Sequence, residues 1–285
     1  MDSLTIAGGA IEVELLPEVG ARLHRLRVFG QDLLRTPRDP ARHGREPFSW
    51  GAYVMAPWCN RIAATPTPVG NREVRIESNT TDGSAIHGQV YAVPWTVRAD
   101  GSLAVRGGGD GWPWPYEATL RVVVGGASLR IEQSLTNLGD VMMPAGIGLH
   151  PWFRRPMEVR IDAAAVLPSN VDPASEIEPV GGPFDLRALG AMQDDLDAAW
   201  LEVGDPAAEL SWPTLGIRAL VRTRSNAGVC IVAASPSGRD AIALEPQTHA
   251  PQGLRRYLAG APGGLHPLAA GRTMRLAIEM GFYRS

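Results

Sequence analysis

Two segments of this 285-residue chain end an apolar, strand-like run with a group able to carry protons, directly before a proline. His150 closes the run 145–149 and precedes Pro151, and Glu245 closes the run 241–244 and precedes Pro246. A residue before proline is pushed toward β or polyproline dihedrals. Both side chains are therefore expected to leave strand ends in a restricted direction, and a rigid element holds a reactive group better than a loop does. A carboxylate and an imidazole suit general acid–base chemistry, where each positioned group is worth about 10²–10⁴ in rate. Plainer readings stand beside this one. Glu245 fits an exposed strand-end carboxylate. His150 fits a hydrogen-bonded core histidine, because an unpaired imidazole after so apolar a run would be costly.

Other polar residues divide in the same way. Arg61, in Asn60-Arg61-Ile62, is either an ion-pair partner or a donor to a ligand. His87 precedes Gly88 and fits a turn or a ligand contact. Asp197 follows Asp194 and Asp195, and any of the three could be a solvated loop charge. His24 lies in an alternating strand and reads as structural, whereas His43, His249 and His266 lie in loop sequence. The histidines show neither an HExxH motif nor another short ligand spacing, so no metal site is expected.

Composition removes several function classes. All 27 basic residues are arginine, and without a primary amine Schiff-base chemistry, pyridoxal phosphate attachment and a Walker lysine are excluded. The formal net charge is −3 with no basic run, so nucleic acid is not an expected partner. Cys59 and Cys230 are too few for a disulfide framework or a thiolate zinc site. The first twenty residues lack a signal peptide's basic and apolar regions. No apolar run nears the roughly 18–20 residues that cross a bilayer. A cytoplasmic location, with no membrane partner, is the expectation.

The elements that would position these groups are strands. Period-two alternation recurs at 11–15, 21–28 and 73–77, and the runs 116–124 and 128–136 flank Gly125-Gly126-Ala127 as a hairpin. Further strands are expected at 143–149, 158–161, 217–222, 229–233, 241–245 and 273–282. Helical periodicity is weak, with at most one turn at 186–189. Two stretches, 30–57 and 168–199, read as long loops of the kind that carry function. No linker, repeat or low-complexity tract divides the chain, so residues 1–285 are expected to form a single all-β, antiparallel domain.

Four motifs, in order along nearly the whole chain, resemble the aldose 1-epimerase (galactose mutarotase) superfamily. They are Ala56-Pro57-Trp58-Cys59-Asn60-Arg61-Ile62, Ala85-Ile86-His87-Gly88, Gly146-Ile147-Gly148-Leu149-His150-Pro151-Trp152-Phe153 and Ala243-Leu244-Glu245-Pro246-Gln247-Thr248. The resemblance implies a large antiparallel β-sandwich (a supersandwich) with a sugar cleft on its concave face. It also implies Glu245 as general base, His150 as general acid, and Arg61, His87 and Asp197 as sugar contacts. Trp152, adjoining the His150 motif, is the tryptophan expected to line the cleft, since indoles stack on the apolar faces of sugars. Trp95 and Trp212 are expected in the core.

Exchange of α and β anomers needs a proton taken from the C1 hydroxyl and another given to the ring oxygen, with acid and base expected on opposite sides of the hemiacetal. No cofactor is required. Gln89 stands after His87-Gly88, where many family members carry a second glycine, which leaves the sugar open. Arg154 and Arg155 keep a phosphorylated hexose in view as an alternative substrate. A non-catalytic sugar-binding module on the same fold is the other alternative. Oligomeric state is left open.

Overall fold

Every second residue of Tyr116–Gly125 and Ser128–Asn137 is buried along most of their length, and the two strands pair in register from Tyr116↔Asn137 to Gly125↔Ser128. Gly126, at φ +58°, supplies the left-handed step of the hairpin. Ser128–Asn137 pairs onward with Thr273–Arg284, and that strand with Ile217–Ser225. The computed structural model describes residues 2–285 except Asp110 and Pro173. Among them, 18 strands join into one large sheet.

The sheet curls so that two layers face each other. Leu23, Leu149 and Leu244 of one layer meet Leu129, Ile131, Val221, Ile278 and Met280 of the other. One long strand, Asp197–Trp212, belongs to both layers. Its first residues pair with Cys230–Ala234 and its last with Ile217–Ser225. The helices are short, Arg42–Arg45 and Gly253–Leu258. Among the described residues no helix is long and apolar enough to cross a membrane. Trp95 and Trp212 are buried as expected, together with Trp58, Trp112, Trp114 and Trp200.

The stretch 30–57 is less of a loop than its sequence suggests. It contains Ala52–Met55, a strand with all four residues buried. Because both of its faces are covered, no alternation marks it. The stretch 168–199 keeps more of its loop character, with the brief strands Glu178–Pro179 and Gly190–Ala191 and one turn at Gly182–Phe184.

His150 and Glu245 also lie differently from expectation. Neither ends a strand: His150 sits inside Gly148–Arg154 and Glu245 inside Ala241–Gln247. Those strands pair at Gly148↔Gln247 and again from Trp152↔Ala243 onward, but not in between. Pro151 and Pro246 fall in that gap. Proline cannot donate to a ladder, so the sheet tolerates both by leaving the ladder open there.

Two histidines read as loop residues are buried. His43 lies in the short helix, where its Nε2 and His24 Nδ1 are 2.8 Å apart, and His249 is enclosed behind the Glu245 strand. Burial holds His43 and His87 down to about 3 and His249 to about 4. An imidazole whose folded value is depressed takes up protons more readily when unfolded. Stability is therefore full above about pH 6.5 and is lost as pH falls toward the folded values. Glu245, shifted upward, opposes this, whereas His150 and His24, shifted downward, add to it. His43, His87 and His249 by themselves should remove about 4 kcal/mol between pH 7.5 and 5.5. Urea unfolding of Glu245→Gln at both pH values measures this without the opposing carboxyl, and equal midpoints there would mean the rings take up protons while folded.

Candidate active site

Strand register aligns the site. His150 is the register partner of Tyr53 on one side. On the other, the pairings at Gly148↔Gln247 and Trp152↔Ala243 put it directly opposite Glu245 across the open stretch of ladder. Tyr53, His150 and Glu245 thus form a row across three adjacent strands. Side chains alternate between faces, so Leu149, Pro151, Leu244 and Pro246 point into the core while His150, Trp152 and Glu245 point the other way.

The neighbouring row is Trp152, Ala243, Ala234 and Asp197, each the register partner of the next. Three strand spacings, roughly 14 Å, separate its ends. The two alanines between them leave a floor with no side chain beyond Cβ. The result is a cleft of about 470 Å³, lined by Tyr53, Arg61, His87, His150, Trp152, Asp197, Arg239 and Glu245 among others. A wider trough of about 700 Å³ lies over Tyr116–Gly125, Ser128–Asn137 and Thr273–Arg284. It is lined by arginine, acidic, hydroxyl and amide residues with no histidine or aromatic ring, and it offers no acid–base pair.

His150 Nε2 and Glu245 Oε1 are 3.1 Å apart, with side chains only 6% and 4% exposed. They stand side by side on one floor, not across the cleft from each other. Burial, and then the nearby Asp197 charge, push the Glu245 carboxyl well above the usual range, against a smaller pull from Arg61. Burial, with His87 and Arg239 adding to it, pushes His150 well below an ordinary imidazole. Both shifts disfavour charge, so together the two groups hold one proton. Tyr53 stacks on His150 with centroids 4.5 Å apart, and the buried Arg22 guanidinium lies 4.7 Å from the Tyr53 ring. Glu245 Oε2, His150 Nδ1 and Tyr53 Oη are buried without a protein hydrogen-bond partner among the described residues.

All six residues singled out in the sequence line this one cleft. Arg61 Nε holds Asp82 at 2.9 Å, and the residue also lines the cleft. His87 both turns the chain and lines the cleft. At φ +64° it is a left-handed turn residue, and its buried ring meets His150 edge-on at 5.0 Å. Asp197 accepts a hydrogen bond from the Asn170 amide, and surrounding protein raises its pKa. The Trp152 indole donates to the Phe48 carbonyl at 2.8 Å and is flanked by His150 at 4.9 Å and by the Arg239 guanidinium at 4.1 Å. It forms a wall, without an open face for stacking.

Sequence reasoning missed Tyr53, Phe48 and Arg239. Tyr53 and Phe48 lie in the stretch read as a loop, and Arg239 in a turn between two strands. Arg154 and Arg155 are not on the cleft: Arg154 is exposed, and Arg155 bonds Ser235 at 2.6 Å and Asp194 at 3.1 Å.

Ligand-capable atoms of His87, His150 and Glu245 lie within 4.8 Å of one another, a spacing open to a metal ion. The hydrogen bond from Asn60 N–H to His87 Nδ1, at 3.2 Å, argues against that use. With Nδ1 accepting, a neutral His87 carries its proton on Nε2 and turns a donor outward, not a lone pair.

A curled antiparallel sheet carrying this cleft is a galactose mutarotase-like fold. The structure is similar to a galactose mutarotase-like protein of Clostridium acetobutylicum (TM-score 0.83, 16% identity), over 99% of this chain and 95% of that one. It is similar to a galactose 1-epimerase of Lactobacillus acidophilus (TM-score 0.76, 18% identity), over 99% and 94%. A galactose mutarotase-like protein of Lactobacillus casei gives TM-score 0.76 at 16% identity, over 99% and 100%. No curated protein matches the sequence closely enough to count as a relative. Residues 2–262 match the aldose 1-epimerase family, and the chain belongs to that family.

Proposed function

We propose that this protein is a mutarotase that interconverts the α and β anomers of a free aldose such as galactose or glucose, with Glu245 as general base and His150 as general acid. The observation that carries this reading is the 3.1 Å contact between a buried imidazole and a buried carboxylate on the floor of a hexose-sized cleft. In a cyclic aldose the hydroxyl oxygen O1 and the ring oxygen O5 are bonded to the same carbon. Two groups side by side, as these are, can therefore exchange protons with both. The shared proton first passes from Glu245 to His150 across their 3.1 Å contact, and Glu245 then takes the proton of O1 as the C1–O1 double bond forms. The C1–O5 bond breaks, and O5 takes a proton from His150. Rotation about C1–C2 presents the other face of the aldehyde, and the reverse transfers close the ring. The pair holds one proton before and after opening, so no external proton is needed.

His87 Nε2–H, Arg61 and Asp197, which line the same cleft, hold the remaining hydroxyls in this reading. A phosphorylated hexose draws no support from Arg154 or Arg155, neither of which lines the cleft. The test is NMR saturation transfer between anomers, on glucose, galactose and glucose 6-phosphate with the wild-type protein. Exchange of a neutral aldose is expected to rise well above the buffer rate. Acceleration of glucose 6-phosphate alone would overturn the substrate class. Binding of sugar with exchange at the buffer rate would make the protein a non-catalytic module.

A further inference from the structure

The cleft is backed by a second histidine that never reaches it. We infer that His249 is a positioning residue, which holds the backbone at Cys59 and Asn60 so that His87 keeps its proton on the nitrogen facing the sugar. The inference rests on the reading of the cleft as a sugar site.

The link runs through two consecutive amides. Cys59 N–H donates to His249 Nε2 at 2.9 Å, and Asn60 N–H donates to His87 Nδ1 at 3.2 Å. His249 is itself fixed in orientation. Its Nδ1 lies 2.7 Å from the Ala250 carbonyl, which can only accept, so Nδ1 carries the proton and Nε2 is the acceptor. The same short segment is tied from its other side, where Gly146 N–H donates to the Pro57 carbonyl at 2.7 Å. Asn60 and His87 both take left-handed backbone, at φ +53° and +64°, and His87 N–H returns a bond to the Asn60 carbonyl at 3.1 Å. Such conformations persist in non-glycine residues only where surrounding contacts over-determine them. The tie from His249 is one of those contacts.

Two glycines make room for the ring. A Cβ on Gly146 would lie 2.1 Å from His249 Cδ2, and one on Gly253 would lie 2.4 Å from His249 Nδ1. Neither glycine has the positive φ that calls for glycine on backbone grounds. Their lack of a side chain is explained by the imidazole between them. The slot holds a flat ring in one plane and at one height, which fixes where Nε2 meets the Cys59 amide.

With Nδ1 of His87 occupied by an amide hydrogen, the ring presents Nε2–H to the cleft. Release of the 59–60 segment would let the His87 tautomers mix. A ring protonated on Nδ1 would then offer an acceptor where the sugar hydroxyl expects a donor.

The experiment combines long-range 15N–1H NMR of the histidine rings in the sugar-free protein with anomer-exchange kinetics. In the wild type, His87 should show an unprotonated Nδ1 and a protonated Nε2. His249→Gln places an amide oxygen near the lost Nε2 and should keep both the tautomer and most of the activity. His249→Ala should give mixed His87 tautomers and lower kcat/KM by about 10–100-fold, the usual scale of a small misplacement behind a site. Gly253→Ala, which crowds the ring from outside, should shift His87 in the same direction. A wild-type His87 protonated on Nδ1 would overturn the inference without any variant. So would a His249→Ala protein that loses activity with the His87 tautomer unchanged. The NMR signature does not depend on turnover, so a protein inactive on every aldose would sink the mutarotase reading and leave this one separately decidable.

Discussion

Glu245→Gln should slow anomer exchange by about 10²–10⁴-fold with the fold intact. The amide has the carboxylate's shape and can still hydrogen-bond His150, so the row Tyr53–His150–Glu245 should keep its geometry. What is lost is an oxygen able to take the proton of O1. Because burial raises the pKa of this carboxyl, the wild type bears a cost for any charge there that glutamine does not. The thermal midpoint should therefore hold or rise. Polarimetry of freshly dissolved α-glucose and α-galactose, with a melting curve on the same sample, reads both quantities. A variant that keeps its midpoint and at least a third of its activity would remove Glu245 from the chemistry.

His150→Asn should cost a similar factor, and the double variant Glu245→Gln, His150→Asn should lose scarcely more than the weaker single variant. Residues that act as a unit are grossly non-additive, and two groups passing a single proton are such a unit. Losses that multiply would point to separate roles. The pH dependence of the wild type follows from the same sharing. Activity needs one proton on the pair: it should fall in acid, where a second proton binds, and in alkali, where the last one leaves. Burial disfavours the carboxylate and the imidazolium alike. The two limbs, which belong to the pair and not to either residue, should therefore stand far apart, with a broad plateau between them. A narrow bell centred between ordinary carboxylate and imidazole values would contradict the coupling.

The sheet and the residues that meet in the cleft were largely legible in the sequence, for different reasons. Strands with one covered face, such as Tyr116–Gly125, declare themselves by alternation. The strand Ala52–Met55 does not, because core covers one face and the cleft wall the other, and Tyr53 was lost with it. Arg61, His87, His150, Trp152 and Glu245 lie in short motifs whose order is informative, and Asp197 in the stretch read as a loop, but their mutual placement depends on register between strands far apart in the chain. Nothing local could show that His150 and Glu245 would be cross-strand neighbours. Nor could it show that they lie within strands, since proline normally argues against a strand interior. Here two prolines share one open stretch of ladder. His43 and His249 misled in the opposite direction, since their loop-like surroundings fold over the sheet and bury them.

The cleft's breadth is set by what Ala234 and Ala243 omit. Two methyl groups, neither able to move a proton, mark out how large a ring can lie between the indole and Asp197. One larger side chain at either position would shorten the berth by about a strand's width while leaving the reacting pair untouched. Under the proposed mutarotase function, selectivity for sugar size and the ability to open the ring fall to separate residues, and a lineage could alter the first without disturbing the second.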